Sequence, residues 1–188
     1  MLGYLARTAA LRVTYRRDAD AAVRMAYIGG EHDGAEATAP YMATDADHGT
    51  GRSYTGWLVM LAAAAAGWGV RAQPQPSLSS TEAELYGLST SVCELLIFAN
   101  LLEEVGYSIS HGIPVFCDSR GARLLVEDCA APARTRHIHR RWYFVRYYKD
   151  AGAIVVREVK GVNNPANFMT KAVGGASFAR DRAYVGLG

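Results

Sequence analysis

Three acids in this 188-residue chain sit where carboxylates can do chemistry. Asp45 closes a short strand-like stretch. Glu84 lies at the start of a long helical pattern. Asp118 directly follows a β-branched, apolar run. Strand ends and a helix start can converge at one rim of a sheet. Grouped carboxylates repel one another, and a divalent cation between them relieves the repulsion. An all-oxygen set favours Mg²⁺ or Mn²⁺ over zinc. Two such ions, ~4 Å apart, can activate a water and stabilise a leaving oxygen in phosphodiester hydrolysis. Each acid also has a plainer reading. Asp45 could be a turn residue. Glu84 could close a Thr81-x-x-Glu84 capping box. Asp118 could cap the helix after it. Spacing alone leaves both readings open.

The elements that would position these acids follow from periodicity. Leu11 to Tyr15 alternates, and Val23 to Ile28, Tyr41 to Ala46 and Tyr54 to Leu61 read as strands. Residues 62–66 are all Ala, too few to stand as a helix. They read as a hairpin connection into a further strand, Trp68 to Arg71. Leu85, Leu88, Val92, Leu95, Ala99 and Leu102 recur at helical spacing, so a helix spans Thr81 to Val105 and stops at Gly106. Ile113 to Cys117 reads as a buried strand. Helices follow at Gly121 to Glu127 and Thr135 to Lys149. Next come a strand over Ala153 to Val159 and a short helix over Pro165 to Ala172, with Asn164 available to cap it. Residues 1–10 look helical, and 174–188 are weakly patterned. The order predicts an α/β fold: a mixed sheet, an antiparallel meander followed by parallel strands, with helices on its faces.

Composition sets outer bounds. With 20% charged and 50% hydrophobic residues the chain is neither disordered nor a coiled coil. Cys93, Cys117 and Cys129 are an odd number without CxxC spacing, which argues against a disulfide scaffold and a structural zinc site. A reducing compartment is the natural setting. No stretch of about 20 apolar residues stands out as a membrane span, and the start lacks a cleavable-signal layout. The net charge is only +2, yet it is unevenly spread. Asp18, Asp20, Glu31, Asp33, Glu36, Asp45 and Asp47 face a single base, Arg24, between residues 18 and 51. Arg134, Arg136, Arg140, Arg141, Arg146 and Lys149 have no acid among them. Such asymmetry points to a polyanion or a metal site.

Several motifs then occur in a recognisable order. They are Asp45-Ala46-Asp47, Arg52-Ser53-Tyr54-Thr55-Gly56-Trp57, Gln73-Pro74, Leu78-Ser79-Ser80-Thr81-Glu82-Ala83-Glu84, Phe116-Cys117-Asp118-Ser119, Arg134-Thr135-Arg136-His137-Ile138 and Phe168-Met169-Thr170-Lys171. The set resembles the ribonuclease H domain of copia-type (Pseudoviridae-like) LTR retrotransposon Pol polyproteins over about residues 1–173. The resemblance implies a ribonuclease H-like fold with a five-stranded mixed sheet. It implies a remnant of the upstream reverse-transcriptase connection over 1–20, the ribonuclease H domain over 21–173 and a C-terminal tail over 174–188.

It also implies an activity, cleavage of the RNA strand of an RNA–DNA hybrid with two Mg²⁺ ions, Mn²⁺ substituting. Asp45, Glu84 and Asp118 match the family's first three acids, with Glu84 preferred over Glu82 and Asp47 as a second choice. Where the family carries a fourth acid this chain has Asn167, which offers a carbonyl oxygen but no charge. Weakened binding of one ion follows. His48, the Ala run and a longer stretch over 22–40 are further departures.

Ser80, Thr81 and Ser119 suit the 2′-hydroxyls and backbone of a hybrid, with helix capping as the competing role. Arg134 and Arg136, at the entry of the basic helix, suit phosphates. His137 matches the family's His, with a structural hydrogen bond as the competing role. The aromatics of that helix read as core. Expected partners are an RNA–DNA hybrid and the reverse-transcriptase domain of the same polyprotein, with no membrane. The expected location is a cytoplasmic virus-like particle or the nucleus. The competing function is a decayed or domesticated module that binds without efficient cleavage.

Overall fold

The structure is a computed structural model; it describes residues 10–15, 39–49, 51–127 and 136–188, excepting the side chains of 136–139. The expected helix over residues 1–10 falls outside this set but for Ala10, and the expected strand over Val23 to Ile28 and the longer stretch 22–40 do so almost entirely.

Five strands form one sheet in the order β3-β2-β1-β4-β5. β1 (Tyr41–Ala46), β2 (Tyr54–Leu61) and β3 (Ala64–Ala72) make the antiparallel meander. β4 (Ile113–Cys117) and β5 (Ile154–Glu158) continue it in parallel from β1. Helices α1 (Ser80–Glu104), α2 (Arg120–Glu127) and α3 (Arg136–Asp150) connect these strands. A 3₁₀ turn (Gly161–Asn163), α4 (Asn167–Thr170) and α5 (Gly175–Tyr184) follow β5.

α1 is the central helix because its apolar spacing gives it one continuous buried stripe. Leu85, Leu88, Val92 and Leu95 are fully buried and pack with Met42, Trp57, Val59 and Val115 of the sheet. Each contributes roughly 1.5–3 kcal/mol by burial. The helix ends as Gly106 requires: at φ +86 it takes a left-handed conformation, and Tyr107 N–H bonds the Leu102 carbonyl at 2.8 Å. By length and composition α1 is in fact apolar enough to cross a membrane, which corrects the sequence expectation. Here its apolar stripe is spent on the sheet.

Two further expectations change. The Ala run is a tight turn of only two residues, Ala62 and Ala63, both at positive φ, while Ala64, Ala65 and Ala66 already belong to β3. The run supplies no side chain that marks its turn, so its strand part was hidden. The weakly patterned segment 174–188 contains α5. Tyr184 and Val185 bury themselves in a second cluster with Tyr41, Leu58, Met60 and Phe116, on the opposite face. Tyr41 and Tyr184 share a 2.7 Å hydroxyl hydrogen bond. Val13 bridges Leu187, so residues 11–15 and the last residues lie side by side.

Candidate active site

β1 and β4 are parallel neighbours at the middle of the sheet, with Thr44 opposite Cys117. Asp45 and Asp118 each come one residue later, so both emerge at the same rim. In open sheets this junction, where chain connections diverge, is the usual site crevice.

Glu84 reaches that rim because the start of α1 is held in place. Gln73, fully buried, donates to the Ala83 carbonyl at 2.9 Å and to Thr55 Oγ1 at 3.2 Å, tying the helix start to β2. The cap is Ser79, whose Oγ accepts from Glu82 N–H at 3.1 Å; Glu82 Oε2 accepts from Leu78 N–H at 2.9 Å. The capping pair is therefore Ser79 and Glu82, not Thr81 and Glu84. Glu82 is occupied there, while the Glu84 carboxylate turns to the rim and accepts from Ala46 N–H.

Among the described residues, Glu84, Asp118 and Cys117 form a group whose ligand atoms all lie within 4.8 Å of one another. Burial, then the charges of Asp45 and Asp118, push the Glu84 carboxyl from 4.5 up to about 8. Burial and Asp45 push Asp118 up as well. Cys117 is fully buried, and burial and Glu84 push its thiol well above the usual range, so it stays protonated. The usable donors are carboxylate oxygens. Mutually raised, half-buried carboxylates are a donor set that fits a hard divalent cation.

Asp45 is fully buried at the base of the site, and α4 covers it. Thr170 Oγ1 donates to Asp45 Oδ2, and Lys171 Nζ contacts Asp45 Oδ1 at 2.8 Å. The same ammonium donates to Asn167 Oδ1 at 2.9 Å, and Asn167 Nδ2 donates to the Gly161 carbonyl. Lys171 is pushed above its usual value: burial opposes the charge, and the hydrogen bond and charge of Asp45 outweigh it. A Cβ at Gly161 would lie 3.2 Å from Asp118 Oδ2. Gly161 thus stands between Asn167 and Asp118.

Asn164 is not the cap expected of it. Its Nδ2 donates to the Thr44 carbonyl at 3.0 Å, its Oδ1 accepts from Ala166 N–H at 3.1 Å, and its side chain bonds Asp118. It is a buried clamp joining β1, β4 and α4. Asn164, Thr170 and Lys171 were all missed as site residues. The only sequence signal for the last two was the Phe168-to-Lys171 motif.

Asp47 closes the β1–β2 hairpin by accepting from Tyr54 N–H. His48 is exposed. Ser80 is exposed at the start of α1. Thr81 packs against Gly121, where an added Cβ would come 2.7 Å from its Oγ1. Ser119 Oγ accepts from Ala122 N–H at 3.2 Å, so Ser119 rather than Asp118 caps α2. Arg134 lies outside the described residues, as do the side chains of Arg136 and His137. In the basic helix, Trp142 is buried and Phe144 and Tyr148 pack on the core, but Tyr143 and Tyr147 are exposed, so the aromatics are not all core. Arg141 lies 3.3 Å above the Tyr86 ring and donates to Ser89 Oγ at 3.0 Å. A groove of about 430 Å³ runs between α1 and α3, walled in part by Arg71, Arg140 and Arg141.

No protein-family model matches the chain. The retrovirus-related Pol polyprotein from transposon TNT 1-94 of Nicotiana tabacum is 31% identical over 146 residues, 78% of this chain. That from transposon RE2 of Arabidopsis thaliana is 29% identical over 135 residues, 72% of this chain. The chain spans only 11% and 9% of those polyproteins. Among solved structures, the N-terminal RNase H domain of Rv2228c from Mycobacterium tuberculosis superposes with a TM-score of 0.53 at 11% identity, covering 78% of this chain and 97% of that one. LC11-RNase H1, isolated from compost, gives 0.52 at 13% identity, covering 69% and 89%. These likenesses establish the five-stranded ribonuclease H-like fold. By sequence the chain is thus similar to a segment of retrotransposon Pol polyproteins, and by fold it is ribonuclease H-like.

Proposed function

We propose that the chain is a metal-dependent endonuclease that hydrolyses the RNA strand of RNA–DNA hybrids. The observation that carries this reading is the rim where Asp45, Glu84 and Asp118 converge, the last two with charges disfavoured until a cation arrives. The solved neighbours are ribonucleases H, which supports the substrate class. The cofactor we assign is Mg²⁺, two ions, with Mn²⁺ able to substitute. Divalent ions supply, when bound, the charge that activates water and stabilises the leaving oxygen.

The chain's own residues divide the remaining work. Asp45, Glu84, Asp118 and Asn167 would hold the ions. Asn164 orients Asp118, and Gln73 with Ser79 fixes the start of α1 and hence Glu84. Ser80, Thr81, Ser119, Arg134, Arg136 and His137 are the proposed hybrid contacts, and Arg140 and Arg141 of the groove add positive charge for phosphates, while Arg71 there pairs with Glu94 at 3.4 Å. The reverse-transcriptase domain of the same polyprotein is the proposed partner.

Asn167 supports a second reading, a module weakened in cleavage, because a neutral amide replaces a charged ligand. One assay separates the two: labelled hybrid and duplex DNA, each with Mg²⁺ or Mn²⁺. Cleavage of the hybrid alone supports the nuclease. Salt-sensitive binding without cleavage in either metal supports the weakened module.

A further inference from the structure

The rim has an occupied side and an accessible side. On the occupied side both oxygens of Asp45 are engaged, Oδ1 by Lys171 Nζ at 2.8 Å and Oδ2 by Thr170 Oγ1. The Asn167 side-chain oxygen Oδ1 is engaged too, by the same ammonium at 2.9 Å. On the accessible side, half-buried Glu84 and Asp118 approach each other within 4.8 Å, and Asp45 is not in that group. Lys171 is well placed for this: it follows α4, four residues after Asn167, and the helix rests on β1 and β2.

We propose that Lys171 is a tethered cation occupying the Asp45–Asn167 position of the unliganded site. The free protein then takes one divalent ion, on Glu84 and Asp118. A second ion binds only where the ammonium has swung away. The physical reason is competition for the same oxygens. An ammonium is a compact point charge with three donors on a flexible stem, so it can satisfy two oxygen ligands and still be displaced. Asn167 sharpens the effect, because without a charge at that position a divalent ion has less advantage over a lysine. This inference rests on the metal-dependent reading above and adds to it a residue that sets the number of ions.

The test is to count Mn²⁺ bound per chain by electron paramagnetic resonance, without nucleic acid, in the 188-residue chain and in its Lys171→Met, Lys171→Gln and Lys171→Arg variants. Thermal melts identify which variants are folded; the Gln variant, which keeps hydrogen bonding, serves if Met does not fold. The expected result is one Mn²⁺ in the parent and in Lys171→Arg, and two in the neutral variant, or a second site tightened at least tenfold. One Mn²⁺ in all of them, with unchanged affinity, overturns the proposal. Two tight ions in the parent also overturn it. No Mn²⁺ in any of them removes the metal-dependent reading itself, and this inference with it.

Discussion

Gly56 stands directly opposite Asp45 in the β1–β2 register, and its missing side chain is what lets α4 lie over that carboxylate. A Cβ at Gly56 would come 2.6 Å from Met169 Cβ and 2.9 Å from Thr170 Cγ2. Thr170 and Lys171 reach Asp45 only because nothing occupies that space. Gly56→Ala should therefore displace α4, costing about 1–3 kcal/mol by overpacking. Cleavage should fall by more than the melting temperature suggests, since the lost contacts are in the site. An unchanged melt and unchanged cleavage would mean that α4 is not seated as described.

Asn164→Ala should cost about 1–3 kcal/mol, because it leaves the Thr44 carbonyl and Ala166 N–H buried without their partner. It also removes a donor from Asp118, so metal affinity should change along with stability. Asn164→Asp keeps the acceptor for Ala166 but not the donor to Thr44, and should recover little. Denaturant melts of the two variants test this; full recovery by the aspartate would contradict the clamp.

The metal-free protein should lose stability as pH rises. The Glu84 carboxyl titrates near 4.5 when unfolded and near 8 when folded. Between these values the folded state holds more protons than the unfolded state, so stability falls from about pH 4.5 to about pH 8. Asp118 shifts in the same direction and adds to the slope. Glu84→Gln should flatten the slope, and saturating Mg²⁺ should reduce it. A melting temperature that rises from pH 5 to 8 without metal contradicts the assignment.

Asn167→Asp places a carboxylate 2.9 Å from the Lys171 ammonium and gives up the donation to the Gly161 carbonyl. Metal affinity and hybrid cleavage should rise, the former by about tenfold, or ~1.4 kcal/mol. Calorimetric titration with Mn²⁺ measures it. No gain in either quantity would sink the idea that the amide weakens the site.

The hairpin offers a control remote from the chemistry. Ala62 and Ala63 have φ of 48 and 62, a left-handed conformation costing roughly 1–2 kcal/mol per residue with a Cβ. Ala62→Asn with Ala63→Gly, residues suited to such turns, should raise stability by about 1 kcal/mol and leave cleavage unchanged. A lower melting temperature would contradict the turn.

What was legible in the sequence was whatever rests on local pattern. α1 announced itself by the spacing from Leu85 to Leu102, and β4 by its apolar run ending at Asp118. The order of strands and helices sufficed for a mixed sheet. What stayed hidden depends on distant partners. Lys171 meets Asp45 across 126 positions of chain, and no periodicity marks such a contact. Asn164 has the right type for a cap, and only the fold shows its amide donating to a strand 120 positions away. The capping box was misplaced by two residues because Ser79, Ser80 and Thr81 all suit the role; the backbone put Ser79 at the cap. α5 lacked a helical stripe of its own, having few apolar residues to bury.

The most direct test of the central claim is cleavage of a labelled RNA–DNA hybrid in Mg²⁺ or Mn²⁺ by the parent chain and by Asp118→Asn. The account predicts cleavage of the RNA strand by the parent, none of duplex DNA, and loss of at least a hundredfold in the variant. Equal cleavage by both proteins, or cleavage independent of divalent metal, would contradict it.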